Sequence, residues 1–214
     1  MQSRTALILG ANGRLGRAVL EAFVAAGWQV LAQARRPIEN LPPQARQLGI
    51  DMSNTEAVAS AARDASIVVY AVNPSYTEWD EKLLPLARQG MGIAERLGAL
   101  FMLPANVYGF GEKMPARLVE STMQRPTTKK GKQREALEEE MQKRIQRGLR
   151  GVVIRAGDFL EAVQATGSTK RSSSPSRAAN LFTRARQMSS TPGPTCQIWR
   201  GRLSASPNST SPAT

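Results

Sequence analysis

No histidine occurs in the 214 residues, and there is a single cysteine, Cys196. Without imidazole the chain has neither the usual general base of neutral-pH catalysis nor the third member of a Ser-His-Asp triad. It also lacks the commonest metal ligand, so no metal site is expected. One thiol excludes an internal disulfide, and the chain starts straight into an apolar strand with no charged and apolar leader; a cytoplasmic setting is expected. No run of about 18 apolar residues is present, so no membrane partner is expected. Acidic residues are also short, 17 Asp and Glu against 29 Lys and Arg, a net charge of +12. Such a surplus can mark a nucleic-acid binder, but it is unevenly spread. Residues 1–160 and residues 161–214 each carry +6, and the second segment has only Glu161 as an acid. Half of the charge lies in a quarter of the chain, no nucleic-acid motif accompanies it, and no specific nucleic-acid partner is expected.

What is present is a glycine pattern in a telling position. The apolar run Leu7-Ile8-Leu9 leads into Gly10-Ala11-Asn12-Gly13-Arg14-Leu15-Gly16 and then into an amphipathic segment. Strand, loop and helix in that order are the context in which G-x-x-G-x-x-G has a physical meaning. One glycine permits the turn, one lets backbone N–H groups approach a pyrophosphate, and one lets the helix pack closely. The helix N-terminus then presents its free N–H groups and partial positive charge to the phosphates. The competing reading is a tight strand-to-helix turn without a ligand.

Periodicity predicts the remaining elements. Strands are expected at 4–9, 28–32, 46–52, 66–72, 99–103 and 151–155, and helices at 14–26, 54–64, 81–97 and 132–147, with Ser53 capping the second helix and 109–128 as loop. Strands alternating with helices give an α/β fold, a doubly wound parallel sheet (Rossmann fold) of about six strands in the order 3-2-1-4-5-6. Arg35 and Arg36 follow the second strand, where an acidic residue would hold the ribose 2′-OH of NAD; arginine suits the 2′-phosphate of NADP instead. NADP is therefore the expected cofactor, with NAD the second choice. Val72, Asn73 and Pro74 end the fourth strand at the carboxyl edge of the sheet, where ligands bind in such folds.

Together with Asp51-Met52 after the third strand, Asn106-Val107-Tyr108-Gly109 after the fifth and Arg155-Ala156-Gly157-Asp158-Phe159 after the sixth, the glycine loop resembles the extended short-chain dehydrogenase/reductase superfamily in its NAD-dependent epimerase/dehydratase branch. The resemblance covers about residues 3–160. It implies cofactor contacts from Gly10, Ala11, Asn12, Gly13, Arg14, Leu15, Gly16, Arg35, Arg36, Asp51, Met52, Val72, Asn73 and Pro74. It further implies an epimerase-like protein or a reductase of a sugar or small carbonyl compound. Pro126 to Glu138 is similar to the family stretch carrying Y-x-x-x-K with a glutamate four residues later. Here Lys130 stands at the tyrosine position and Arg134 at the lysine position, and neither replaces a phenolic acid/base directly, since arginine stays protonated. No catalytic residue is assigned on this basis. Tyr108 is a candidate, set against a tyrosine that merely packs over the sheet edge. A non-catalytic NADP-binding sensor or regulator, or an inactive gene product, are the other readings. By analogy, the helices at 81–97 and 132–147 are candidates for a homodimer interface.

Residues 1–160 are read as the NAD(P)-binding domain and 161–214 as an irregular, disordered tail. Residues 166–214 hold 11 Ser, 7 Thr and 5 Pro with no periodicity, a composition that matches disorder. A second explanation is that the tail is out of frame. Codons that encode Thr191 to Arg200, read one base earlier, can give HAWAYLPDLA, a string that resembles how this branch continues after its R-A-G-D-F segment. That reading places a frame slip near Leu160 or Glu161 and expects apolar surface in the cleft to be left uncovered, with low solubility. The gene sequence through codons 155–214 tests it: an open HAWAYLPDLA-like frame is the expected result, and its absence leaves a genuine Ser/Thr/Pro-rich tail.

Overall fold

The computed structural model describes residues 4–156 and the backbone of residues 198–200. Its elements run β1 (Thr5–Leu9), α1 (Arg14–Ala25), β2 (Gln29–Gln33), β3 (Ala45–Leu48), α2 (Thr55–Ala61), β4 (Ala65–Tyr70), α3 (Trp79–Leu97), β5 (Leu100–Ala105), α4 (Lys129–Gln146), β6 (Gly151–Arg155) and β7 (Ile198–Arg200). The first six strands are parallel in the order β3-β2-β1-β4-β5-β6, the expected Rossmann arrangement with the strand order reversing between β1 and β4.

The central strands alternate between two cores. Leu7, Leu9, Val68, Tyr70, Phe101 and Leu103 face α2, α3 and α4, where Trp79, Leu83, Met91, Leu137 and Met141 meet them. Ala6, Ile8, Val30, Ala32 and Val69 face α1, which contributes Val19, Leu20 and Phe23. Period-2 strands covered on both faces become near-continuous apolar runs, which is why β1 and β4 read so plainly. Gly98 in the left-handed conformation (φ 59°) stops α3, as expected of a glycine just past a helix end.

Several boundaries differ from expectation, each for a local reason. The third strand ends at Leu48 rather than reaching Met52, because its partner β2 ends at Gln33, paired with Leu48; beyond that point the Gln33 side chain donates to the Ile50 carbonyl at 2.8 Å. Asn54, not Ser53, caps α2: its Oδ1 accepts from the Ala57 N–H at 3.1 Å, while the Ser53 N–H donates to the Asp51 carboxylate at 2.8 Å. The fourth helix begins at Lys129, three residues early, because Thr128 caps it through the Gly131 N–H at 3.1 Å. Ile198–Arg200, inside the segment read as irregular, is a strand antiparallel to β6; an isoleucine-tryptophan pair favours extended backbone, and β6 otherwise offers an open edge. The rest of the proposed tail and the frame slip lie outside the described residues, as do Gly157, Asp158 and Phe159.

The two candidate caps of α2 are separable. Asn54→Ala is expected to destabilise the protein by about 1 kcal/mol, and Ser53→Ala by much less; urea unfolding of the two variants checks this.

Candidate functional site

The turn out of β1 places backbone where side chains would not fit. Gly10 has φ 77°, and a Cβ added there would meet Val72 Cγ2 at 3.0 Å and the Ala71 carbonyl at 3.1 Å. A Cβ on Gly16, in the first turn of α1, would lie 2.3 Å from the Gly10 carbonyl oxygen and 2.8 Å from Ala11 Cα. The first glycine thus brings the β1 turn against the end of β4, and the last packs α1 onto that turn. Gly13 starts α1 with extended backbone and no side-chain cap, so the free N–H groups at the helix N-terminus are left for a ligand. This is a cradle that fits a pyrophosphate, and it opens at the β1–β4 switch point.

Around it the structure gathers most of the expected residues. Ala11 is buried, Asn12 and Arg14 are exposed, and Leu15 is 38% exposed. Asn12 Nδ2 and Arg17 hold the turn after β2, donating to the carbonyls of Pro37 (3.5 Å), Glu39 (2.7 Å) and Asn40 (3.1 Å). Arg35 and Arg36 lie exposed on that turn. Asp51 is near enough to Arg35 to feel its charge; its carboxyl is held below the usual range first by the Ser53 backbone N–H, then by the Ser53 hydroxyl, then by Arg35. Met52 is a core residue, 6% exposed, so it can flank a nucleotide only from beneath. Val72 touches Gly10, Asn73 lies beyond it within reach of α4, and the Pro74 carbonyl accepts from Trp79 Nε1 at 3.2 Å.

Lys130 and Arg134 reach the same edge from α4. Arg134 Nη2 donates to Asn73 Oδ1 at 3.0 Å, and its guanidinium lies 4.6 Å above the Trp79 ring. Burial disfavours its charge, which the phenols of Tyr70 and Tyr76, the Glu138 carboxylate and the Tyr108 phenol favour in turn. Lys130 Nζ sits 4.0 Å over the Tyr76 ring. The Tyr108 carbonyl backs onto Gly131, where a Cβ would come within 2.5 Å of it. Tyr108, which does not share the family's tyrosine-to-lysine spacing, is thereby carried to the first turn of α4.

Four contributors have no assigned role in the sequence reading. Gln33, 4% exposed, ends an apolar strand and accepts from the Gly10 N–H at 3.3 Å; a polar residue closing a buried run was the available signal. Tyr76 and Trp79 precede the helix expected at 81–97. Glu138 forms a two-pronged ion pair with Arg155, at 11% and 13% side-chain exposure. Arg155 also donates to the Asn106 carbonyl at 3.3 Å and stacks over Phe110 at 5.0 Å. Three pieces of the resemblance, the Asn106–Gly109 segment, Glu138 and Arg155, are thus one buried joint. A cleft of about 350 Å³ beside it is lined by Phe110, Met123, Gln124, Glu138, Met141 and Arg155 among others.

The NAD(P)H-binding family matches residues 10–184. The chain belongs to this family. The match begins at the first glycine of the cradle and runs into the segment that the sequence reading sets apart from the domain. Similar solved structures include a putative epimerase from Burkholderia cenocepacia (22% identity, 76% of this chain and 57% of that one, TM-score 0.62). The UDP-glucose 4-epimerase of Thermus thermophilus in complex with NAD is similar at 19% identity, over 71% of this chain and 54% of that one, with TM-score 0.58. The L-threonine dehydrogenase of Clostridium difficile is similar at 23% identity, over 72% and 53%, with TM-score 0.54. The chain therefore spans little more than half the length of these structures, and at such identities they show an epimerase-like fold. No curated protein matches the chain. Among the described residues, no group of three or more His, Cys, Asp or Glu could hold a metal ion, and no helix is long and apolar enough to cross a membrane.

The Glu138–Arg155 joint gives a direct test of what holds α4 to the sheet. Arg155→Met leaves the largely buried Glu138 carboxylate with Gln124 Nε2 as its remaining donor among the described residues, at 2.6 Å, and is expected to cost about 3 kcal/mol, whereas adding Glu138→Leu to it recovers much of the loss; denaturant unfolding of the single and double variants measures both.

Proposed function

We propose that the protein binds NADP(H) across the carboxyl edge of its sheet and acts on a small carbonyl compound or sugar in the manner of an epimerase or reductase. The observation that carries this reading is the Gly10–Gly16 cradle, where Gly10 holds φ 77° and a Cβ on Gly16 would fall 2.3 Å from the Gly10 carbonyl oxygen, with Arg35 and Arg36 on the neighbouring turn. The glycine turn and the N-terminus of α1 hold the pyrophosphate. Arg35, already beside Asp51, meets the 2′-phosphate together with Arg36, and arginine's fork suits that group. When bound, the nicotinamide supplies a hydride donor or acceptor. Asn73 and Arg134 border that end of the crevice, and Tyr108 is the phenol proposed to hold or deliver a proton there.

A second reading, in which the protein holds the cofactor without turning it over, rests on Lys130 and Arg134. Neither residue can serve as the phenolic acid of the family's Y-x-x-x-K stretch. Sequence likeness below 25% to epimerases and a dehydrogenase supports the fold of the first reading and not its substrate.

NADPH fluorescence titration and NADPH oxidation with a panel of sugars and small carbonyl compounds test the two together. Saturable binding is expected. Turnover that Tyr108→Phe abolishes supports the first reading, and binding without turnover the second; no binding overturns both. Arg35→Ala with Arg36→Ala is expected to weaken NADPH binding about 10- to 100-fold through lost charge-assisted hydrogen bonds and to leave NADH binding nearly unchanged.

A further inference from the structure

The first two turns of α4 carry a dense positive charge at the wrong end of a helix. Lys129, Lys130, Lys132 and Arg134 stand at its positive end, with no acidic residue in the first turn, against the preference for anions there. Part of this charge is answered inside the fold: Lys129 pairs with Asp80 at 2.5 Å, and Gln133 donates to the other Asp80 oxygen at 2.7 Å. Lys130 and Arg134, four residues apart and so on one helix face, take part in none of the ion pairs among the described residues.

Both cations are instead laid on aromatic rings, Lys130 on Tyr76 at 4.0 Å and Arg134 on Trp79 at 4.6 Å, and the two rings are neighbours with centroids 4.9 Å apart. A ring face attracts a cation without neutralising it. Asn73 occupies Nη2 of Arg134, yet Nε is buried and has no partner. The Tyr70 hydroxyl, on a residue 2% exposed, is likewise buried without a partner, and it lies within electrostatic reach of Arg134. Two unanswered buried polar atoms and two cations outside any close ion pair among the described residues therefore meet at one place, with the Glu138 carboxylate acting on Arg134 only from a distance. Unsatisfied buried donors are rare and costly, and a ligand that accepts from them removes that cost. The place is the rim of the nucleotide crevice, because Asn73 directly follows Val72, which touches Gly10.

We propose that Arg134 and Lys130, backed by Trp79 and Tyr76, form an oxyanion subsite that takes the carboxylate or phosphate group of a small molecule, with Nε of Arg134 as a donor. Its ligand is then an acid or a phosphate ester seated beside the crevice. The position of that molecule next to a cofactor rests on the NADP(H) reading; the anion site does not. The residues that replace the family's tyrosine and lysine become binding residues for the charged end of a ligand.

Tryptophan fluorescence of the full chain, with Trp79 as the reporter under the guanidinium, is titrated with oxalate in one arm and inorganic phosphate in the other, at ionic strength held constant with chloride. Saturation by one or both is expected; the stronger arm identifies the carboxylate or the phosphate. The signal disappears in Trp79→Phe. Arg134→Gln weakens the affinity about tenfold or more and Arg134→Lys less, since lysine keeps the charge without the fork. Lys130→Gln, at an exposed position whose loss leaves the core intact, weakens it by a smaller factor. NADPH binding, read separately from its own fluorescence, survives in Lys130→Gln, and bound NADPH leaves anion binding in place. The proposal is overturned if neither anion saturates the signal, if both Arg134→Gln and Lys130→Gln bind like the parent chain, or if NADPH competes with the anion, in which case the two cations serve the nucleotide. Loss of NADPH binding alone would overturn the NADP(H) reading and leave the subsite standing.

Discussion

At the end of β1 the backbone turns back with φ 77° at Gly10, a conformation that strains any L side chain, and passes close enough to Ala71 and Val72 that a Cβ would meet them at 3.0 to 3.1 Å. The crevice depends on this contact. It brings the β1 loop and the β4 loop together at the point where the strand order reverses, and it fixes where α1 begins. Gly16 repeats the constraint in the first turn of the helix, against the Gly10 carbonyl. Gln33 reinforces the arrangement from the other side, accepting from the Gly10 N–H and donating to the Ile50 carbonyl beyond the end of β3. Three strand ends are thus held in register by one buried amide side chain and two positions that favour glycine, Gly10 by its φ and Gly16 by its lack of space.

The other half of the site is built on different physics. α4 reaches the crevice through charge and ring contacts more than through apolar packing: only Gly131, Leu137 and Met141 of its residues are buried. Arg155 with Glu138 anchors it to β6, and the Arg88–Glu140–Arg144–Glu95 network anchors it to α3, the Glu140 carboxyl being held below the usual range first by Arg88 and then by Arg144. With the helix fixed by these pairs, Lys130 and Arg134 reach the rim without an ion-pair partner among the described residues. Exposed pairs of this kind contribute little each, so the buried Glu138–Arg155 pair has the larger part in setting the position of α4.

The chemistry available follows from that division. The end proposed for the nucleotide is made of backbone and glycine, a combination that suits phosphate irrespective of what reaction follows. The opposite end is made of arginine, lysine, tyrosine and tryptophan, which bind charge and cover rings. Fold alone does not choose a reaction, and on the resemblance read from the sequence Lys130 and Arg134 stand where a tyrosine and a lysine would choose it.

Sequence by itself determined the parallel sheet, its strand order, the glycine cradle and the arginines beside it, because each rests on local signals: buried apolar runs, helical spacing, and a glycine pattern confined to one turn. It also placed Lys130 and Arg134 where a tyrosine and a lysine were expected. Only the tertiary structure decided that Asn54 and Thr128 are the caps, that β3 stops with its partner, and that Glu138 and Arg155 are one ion pair. It alone joined Tyr76, Trp79, Asn73 and Arg134, drawn from the segment after β4, from α3 and from α4, the last two residues being 61 apart in the chain. Caps compete between neighbouring residues of similar propensity, and ion pairs between distant elements leave no periodic trace. Such features are fixed by which atoms come within reach once the sheet has formed, and no spacing along the chain records that.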